Sequence, residues 1–281
     1  MMSPPAAPKL FDHAALRARV ARAERLGPES FLLDGVRNDL AERLGAVLRS
    51  FSRAVDVGTA LAGSGNVLVG RAEEVQRVDL FASDREDLGL MPQSIDLAVS
   101  ALALQFANDL PGVFAQVRRA LKPDGLFLAA MVGGDTLTEL RQAFAAAESE
   151  RDSGISPRVA PAIDIRDLGA LLQRAGFALP VTDSDRLTVR YDNAFALMRD
   201  LRRMAATNVL VERRRLPLRR ATLLRMAEIY AERFSDADGR IRATFDILWL
   251  SGWAPHESQQ KPLRPGSAQA SLADAVRNAK R

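Results

Sequence analysis

The amino-acid sequence predicts an α/β fold, in which a parallel sheet carries helices on its faces. From Arg53 onward, short apolar runs alternate with segments whose apolar residues recur at helical spacing. Pro and Gly in Lys122-Pro123-Asp124-Gly125 stop a helix and turn the chain into the clearest apolar run. With 281 residues, 47% of them apolar, the chain can bury one substantial core. Alternation of strands and helices is typical of parallel sheets.

The predicted elements begin with two helices, over 12–26 and 29–49, which Gly27-Pro28 separates. A series of strands follows, with one helix between the last two of them. These strands are predicted over 54–58, 67–70, 77–82, 95–100 and 125–132, and the helix over 111–121. The rest of the chain is predicted to hold helices over 136–153, 165–175, 193–205 and 216–233, an extended segment over 187–191 and a last strand over 241–251.

This order divides the chain into four segments. They are an N-terminal helical segment (1–50), an α/β core (51–191), a helical insertion (192–235), and the final strand with a C-terminal tail (236–281). We expect the insertion to form a lid over the carboxyl ends of the strands, because open α/β sheets bind ligands there.

Composition excludes several kinds of site. The chain has no cysteine, which excludes disulfides, thiolate metal sites and a cysteine nucleophile. Its two histidines, His13 and His256, are far apart in the sequence, so we predict no metal site. No apolar run is long enough to span a membrane, and residues 1–10 lack a signal-peptide core, so we expect a cytoplasmic protein. The net charge of +4 does not imply nucleic acid as a partner.

Two motifs point to a family. Gly133-Gly134-Asp135-Thr136-Leu137 follows the clearest strand, and Gly252-Trp253-Ala254-Pro255-His256 follows the last one. With Lys122-Pro123-Asp124-Gly125, they make the chain resemble the methyltransferase-fold assembly factors of respiratory complex I. These belong to the class I S-adenosylmethionine-dependent methyltransferase superfamily and are methyltransferase type 11-like. The resemblance implies a class I methyltransferase-like Rossmann sheet whose last strand is antiparallel, with N-terminal helices and an inserted helical lid.

The same resemblance implies that the chain modifies an arginine of a complex I subunit by hydroxylation. It also implies S-adenosylmethionine as the ligand of the loop after the first strand, Asp56-Val57-Gly58-Thr59-Ala60-Leu61-Ala62-Gly63. Gly58 is present, but Ala60 and Ala62 replace the next two glycines of the family's pattern. Their methyl groups oppose a close approach of the ligand to the backbone. This loop therefore weighs against ordinary binding of S-adenosylmethionine.

The candidate cofactor-binding residues are Asp56, Gly58, Asp84 and Gln105. Asp79 is an alternative to Asp84 as the acid that binds the ribose. Gln105-Phe106 stands where the resembling family usually has His-Trp, and a glutamine cannot take up a proton near neutral pH. Any acid–base role at that position is therefore lost.

The candidate catalytic residues are Asp135, Glu139 and His256. Because carboxylates bind guanidinium groups in bidentate fashion, Asp135 and Glu139, together with Arg141, form a candidate grip for a substrate arginine. A structural alternative applies to Asp135, which is a good helix N-cap residue. His256 is the histidine that lies within a family motif, although a lone histidine is more often structural.

Three hypotheses about function remain open at this stage. The leading one is an assembly factor that modifies an arginine of complex I. The second is a conventional S-adenosylmethionine-dependent methyltransferase. The third is a cofactor-free chaperone or docking protein, peripheral to the inner membrane, that uses the nine arginines within 199–225 to bind an acidic partner or anionic lipid.

Overall fold

The computed structural model describes residues 9–58, 67–152 and 154–260. Its helices are α1 (His13–Leu26), α2 (Phe31–Gly45), α3 (Leu110–Ala120), α4 (Thr138–Arg151), α5 (Ile165–Arg174), α6 (Ala194–Arg203) and α7 (Arg220–Phe234). Its strands are β1 (Phe51–Val57), β2 (Ala72–Val78), β3 (Ile95–Ala101), β4 (Leu121–Gly133), β5 (Ala178–Tyr191) and β6 (Ile241–Trp253). A short 3-10 turn covers Leu104–Phe106.

The strands form one sheet in the order β2-β1-β3-β4-β6-β5. β1 pairs in parallel with β2 and β3, and β3 pairs in parallel with β4. The final strand, β6, lies between β4 and β5 and is antiparallel to both. This topology confirms the predicted α/β class and the reversed last strand. The carboxyl ends of β1 to β4 therefore meet at one edge of the sheet.

Each face of the sheet packs against its own set of helices. Successive side chains of a strand point to opposite faces, so Val55 and Val57 belong to one hydrophobic cluster and Ala54 to the other. The Ala54 face packs against α2, α4, α6 and α7, and the Val55 face packs against α3 and α5. Residues such as Leu40 and Phe114 are almost fully buried, and each such side chain stabilises the fold by about 1.5–3 kcal/mol. The inserted helices thus share the core of the sheet.

Two predicted strands are wrong. Residues 67–70 lie in turns, and the second strand is Ala72–Val78 instead of 77–82. Leu80 and Phe81 suggested a strand because they are apolar, but they are buried in the turn that follows β2. Burial without regular pairing therefore produced the misleading pattern.

The edge strand β5 begins much earlier than the predicted extended segment at 187–191. It covers Ala178–Tyr191, and most of its side chains are exposed. Its first half has no clear strand pattern, because an exposed edge strand can be polar on both faces.

Helix ends also differ from the prediction at the beginning of α4. The N-cap is Leu137, which has a left-handed backbone (φ +54°) and makes no side-chain capping bond. The interpretation of Asp135 as the N-cap is therefore wrong.

Two other helices are shorter than predicted. α2 ends at Gly45 instead of residue 49. α7 begins at Arg220 instead of residue 216, since Pro217 disfavours a helical backbone at the residue before it.

Candidate functional site

The carboxyl ends of the parallel strands border a cavity of about 910 Å³, hereafter the larger cavity. Met131 of β4 and Thr136 in the following turn form one side of it. The segment from Met198 to Arg215, within the predicted lid, forms the opposite side. Further apolar wall residues are Leu32, Leu33, Leu137, Leu140, Phe144 and Leu201. The volume lies within the usual range for sites that bind small molecules or single side chains.

Gln105 presents an unpaired acceptor in the wall of the larger cavity. Its Nε2 donates to the carbonyl of Leu102 at 2.8 Å, which fixes the orientation of the amide. Its Oε1 is buried and has no hydrogen-bond partner among the described residues. A buried acceptor without a partner costs about 1–3 kcal/mol. A ligand that reaches Gln105 Oε1, which neighbouring atoms cover in this structure, and donates a hydrogen bond to it would recover this energy.

A second cavity of about 370 Å³, the smaller cavity, lies beside the end of β1. Gly58 and Asp79, which follow β1 and β2, are both in its wall. Gly58 has φ +60°, and a Cβ atom there would lie 3.1 Å from Cβ of Leu80. Phe81, Ala103 and Phe106 supply apolar surface. Ala60, Ala62 and the rest of loop 59–66 lie outside the described residues.

The smaller cavity suits the nucleoside part of S-adenosylmethionine. Glycine at position 58 keeps the backbone accessible, and the Asp79 carboxylate has the oxygen acceptors that ribose hydroxyls need. The aromatic and methyl groups of Phe106 and Ala103 suit an adenine ring. The residues present therefore fit the cofactor that the fold class implies.

The other two predicted cofactor residues lie elsewhere. The exposed carboxylate of Asp84 pairs with Lys9 and Arg17, at 3.6 Å in each case. Asp56 is half-buried on β1, aligned with Arg77 of β2, on the same face as Ala54. Neither residue belongs to the described wall of either cavity. Asp79, which the sequence offered only as an alternative, takes the strand-end position that we had assigned to Asp84.

Asp135 lies at the carboxyl edge of the sheet, where it takes part in an ion-pair network. Its carboxylate accepts a hydrogen bond from Arg186 Nη2 at 2.7 Å. The same guanidinium donates to both carboxylate oxygens of Asp246 at 2.7 and 2.8 Å. Hydrogen bonding from Arg186 holds the pKa of Asp246 below its usual value, and the backbone N–H of Asp135 contributes to this shift. These carboxylates already bind an arginine of the chain itself.

Glu139 and Arg141 do not join Asp135 in a common grip. The Glu139 carboxylate is buried and accepts hydrogen bonds from the backbone and hydroxyl of Thr244 on β6. The Arg141 guanidinium donates to the carbonyls of Thr136 and Ala160. Each of the three groups has different partners, so the predicted arrangement around one guanidinium is absent from the described residues.

His256 lies at the opposite edge of the sheet from Asp135. β6 is antiparallel to β4, so Asp246 is aligned with Gly133 at the carboxyl edge and Trp253 with Leu126 at the amino edge. At about 3.4 Å per residue, β6 carries the chain roughly 25 Å away before it reaches His256. There the imidazole Nδ1 contacts the hydroxyl of Ser258 at 2.7 Å. His256 and Asp135 therefore do not share a site.

Arginines dominate the charge around the larger cavity. Much of the cluster within 199–225 forms ion pairs, which are Arg203 with Glu29, Arg213 with Asp12, Arg214 and Arg219 with Asp152, and Arg225 with Glu150. Arg158, on the loop below the lid, pairs with the buried carboxylate of Glu148 and also lies in the wall. These pairs hold the lid and its loop against α1, α4 and the turn before α2.

Four further arginines of the wall have no carboxylate within ion-pair distance in the described part of the chain: Arg19 and Arg22 of α1, Arg202 of α6, and Arg215. Sequence reasoning included Arg202 and Arg215 in the arginine cluster within 199–225 but missed Arg19 and Arg22. The spacing of Arg19 and Arg22 places both on one side of a helix that also carries Leu16, and this was the available signal. Arg202 lies far away in the sequence, and only the contact between α1 and α6 brings it near.

Solved structures identify the class of fold. The YcgJ protein of Bacillus subtilis matches 79% of this chain and 99% of its own, with a TM-score of 0.53 at 15% identity. A Bacillus halodurans structure named as a methyltransferase matches 77% and 99%, with a TM-score of 0.50 at 16% identity. Identities this low bear on the fold alone, and with the reversed β6 they define a class I methyltransferase fold. A family model described as a methyltransferase domain also matches residues 42–129.

Sequence relatives identify the family. The protein named "Arginine-hydroxylase NDUFAF5, mitochondrial" from Danio rerio is 37% identical over 94% of this chain and 89% of its own length. The protein of the same name from Homo sapiens is 38% identical over 87% and 76%. A malonyl-[acyl-carrier protein] O-methyltransferase from Methylovorus is 31% identical over 88% and 90%. The chain belongs to the family of the arginine-hydroxylase NDUFAF5.

Across 9–58, 67–152 and 154–260, no helix has the length and apolar character needed to cross a bilayer. Within the same ranges, no three histidine, aspartate or glutamate side chains are grouped as metal ligands.

Proposed function

We propose that this chain hydroxylates an arginine of a respiratory complex I subunit during assembly of the complex. The observation that carries the proposal is the match to the Danio rerio arginine-hydroxylase, at 37% identity over 94% of this chain and 89% of that protein. A match of this extent includes the lid and the N-terminal helices as well as the sheet. We infer a complex I subunit as the partner from the two sequence motifs that resemble the family.

In this proposal the larger cavity receives the substrate arginine. A guanidinium group has five N–H donors and no acceptor. Gln105 Oε1 is a buried acceptor without a partner in that cavity. We assign Gln105 to hold and orient the guanidinium. The apolar residues Leu33, Leu137 and Phe144 would then surround the aliphatic part of the side chain, where the C–H bonds lie.

The predicted catalytic residues take different parts in the proposal. Asp135 directly precedes Thr136 of the cavity wall. We therefore assign Asp135 to contact the substrate segment as that segment enters the cavity. Glu139 fastens β6 to α4 through Thr244. His256 lies at the other edge of the sheet and has no part. Hydroxylation replaces a C–H bond of the arginine by C–OH and needs an external oxidant. With dioxygen, one oxygen atom would enter the product and the other would leave as water, with two electrons and two protons from an external reductant. Gln105 and the apolar wall residues are assigned to the substrate.

Mass spectrometry of complex I subunits tests the proposal. Subunits from cells that contain this chain should include an arginine whose mass is increased by one oxygen atom, and cells without its gene should lack the increase. Restoration with Gln105→Ala should give much less of the modified peptide than restoration with the wild type. Gln142→Ala, at an exposed position on α4, is the matched control. An unmodified arginine in wild-type cells, or a modified one in the deletion, would contradict the proposal.

A second candidate is a conventional S-adenosylmethionine-dependent methyltransferase. The smaller cavity with Gly58 and Asp79 favours it, as does the Methylovorus O-methyltransferase at 31% identity. When bound, the cofactor supplies an electrophilic methyl group, and Gly58, Asp79 and Phe106 would hold its nucleoside part. Calorimetry should detect micromolar binding that Asp79→Asn weakens and Asp84→Asn leaves unchanged. The absence of heat at high protein concentration would eliminate this candidate.

The names of the relatives place them in mitochondria. We propose that this chain works beside complex I, peripheral to the inner membrane on its cytoplasmic side.

A further inference from the structure

The wall of the larger cavity carries positive charge that the described residues do not neutralise. Nε of Arg19 and Nε of Arg22 are buried without an acceptor, and Arg22 Nη2 donates only to the hydroxyl of Thr207, at 3.0 Å. Burial lowers the pKa of Arg22, and the charges of Arg19 and Arg202 lower it further. The Arg22 guanidinium is therefore close enough to Arg19 and to Arg202 to be repelled by both.

The acidic residue of this wall does not compensate for them. Glu29 lines the larger cavity, but its carboxylate pairs with Arg203 at 3.3 Å. A substrate arginine that enters alone would bring a further positive charge to a wall that already carries the guanidinium groups of Arg19, Arg22 and Arg202. Like charges at short distance are unfavourable, because each repels the charged form of the other. The substrate needs negative charge of its own.

We infer that the substrate segment carries an acidic side chain close to the target arginine, and that Arg19, Arg22 and Arg202 bind this carboxylate. The inference rests on the proposed function and adds to it the sequence class of the substrate, an arginine with a neighbouring aspartate or glutamate. The guanidinium contacts Gln105, and the neighbouring carboxylate accepts hydrogen bonds from the guanidinium groups of Arg19, Arg22 and Arg202 that line the cavity. Such charge-assisted bonds are about twice as strong as neutral ones.

Synthetic peptides test this inference on the full-length chain. One peptide has a central arginine flanked by aspartates, and its partner has asparagines in place of the aspartates. The aspartate peptide should bind at least ~10-fold more tightly, since the loss of one charge-assisted bond of about 1.4 kcal/mol gives a tenfold change. Equal affinities, measured by fluorescence anisotropy, would overturn the inference.

Charge variants test which arginines produce the preference for the aspartate peptide. The double variant Arg19→Gln with Arg22→Gln should bind both peptides equally, whereas Arg25→Gln, exposed on the same helix, should keep the wild-type preference. Arg202 is exposed on α6, so Arg202→Glu should fold normally and should weaken binding of the aspartate peptide most. Thermal unfolding of each variant checks the fold. A preference that survives in both variants would place the acidic contact elsewhere and refute the inference.

Hydroxylation of the same peptides separates this inference from the proposed function. If cell extract and the wild-type chain add oxygen equally to the aspartate and asparagine peptides, the proposed function stands and the inference fails. If binding depends on the aspartates but no arginine gains oxygen, the acidic contact is established and the proposed function fails. A peptide with lysine in place of the arginine should bind weakly, because lysine lacks the planar fork of donors.

Discussion

At the scale of single residues, the space around a glycine in the wall of the smaller cavity decides how much a larger residue costs there. Gly58 and Gly70 both have left-handed backbones, with φ of +60° and +74°. A Cβ atom on Gly58 would lie 3.1 Å from Leu80, whereas one on Gly70 would meet nothing within 4 Å. Alanine substitutions at the two positions therefore distinguish the cost of backbone strain from the cost of steric crowding.

We predict that Gly58→Ala destabilises the protein more than Gly70→Ala does. Each variant should lose about 1 kcal/mol from the left-handed backbone, and only Gly58→Ala should also displace Leu80. Chemical unfolding measures the difference. S-adenosylmethionine, if it binds the wild type, should bind the Gly70 variant equally and the Gly58 variant less tightly. Equal losses of stability would show that Leu80 yields at no cost.

At the scale of elements, the segment before α1 is fastened to two parts of the chain. Phe11 forms an antiparallel bridge with Leu210 of the lid segment. The side chain of Asn108 accepts from the N–H groups of Leu10 and Phe11 at 2.8 and 2.7 Å and donates to the carbonyl of Phe11 at 3.1 Å. Since Leu10 and Phe11 line the larger cavity, the Asn108 side chain helps to keep the wall of that cavity in place.

Asn108→Ala should therefore loosen this wall. The variant loses the three hydrogen bonds to Leu10 and Phe11 and the contact of Asn108 Nδ2 with His13 Nε2 at 3.1 Å. We expect this to cost about 2 kcal/mol of stability and to speed amide exchange at Leu10 and Phe11. Asn193→Ala is the matched control, because it removes the N-cap bond of α6 to Ala196 at a cost of about 1 kcal/mol. Exchange at residues 10 and 11 should not change in the control. Unaltered exchange in both variants would contradict this account.

At the scale of the whole molecule, acid should unfold the protein through carboxylates that arginines stabilise. Hydrogen bonding from Arg186 lowers the pKa of Asp246, and such bonds also lower the pKa of Asp183. A carboxyl group whose pKa is lower in the folded state stabilises the fold above its unfolded pKa of 3.8. That stabilisation is lost as the pH falls through the folded value.

We predict that the free energy of unfolding is level near neutral pH and falls below about pH 4. Asp246→Asn should lose about 1–2 kcal/mol at neutral pH and should show a shallower fall in acid. Asp192→Asn, at an exposed position, should match the wild type at every pH. Chemical unfolding at a series of pH values tests this. An unchanged acid slope in Asp246→Asn would mean that other groups control acid unfolding.

The sequence by itself determined the α/β class and most elements, because periodicity records which side chains each element buries. The clear strands β3 and β4 and the helix between them followed from such local patterns. The motifs also determined the family, and with it the reversal of β6. The polar edge strand β5 was missed, since an exposed strand has no strong pattern.

Only the tertiary structure decided which candidate residues meet. The direction of β6 placed His256 and Asp135 at opposite edges of the sheet, although the sequence had offered both as catalytic. Packing of α1 against α6 brought Arg19 and Arg22 near Arg202. The physical reason is that hydrophobic patterns report burial within an element, whereas distances between side chains depend on strand direction, register and helix packing. Those arise only when the elements assemble.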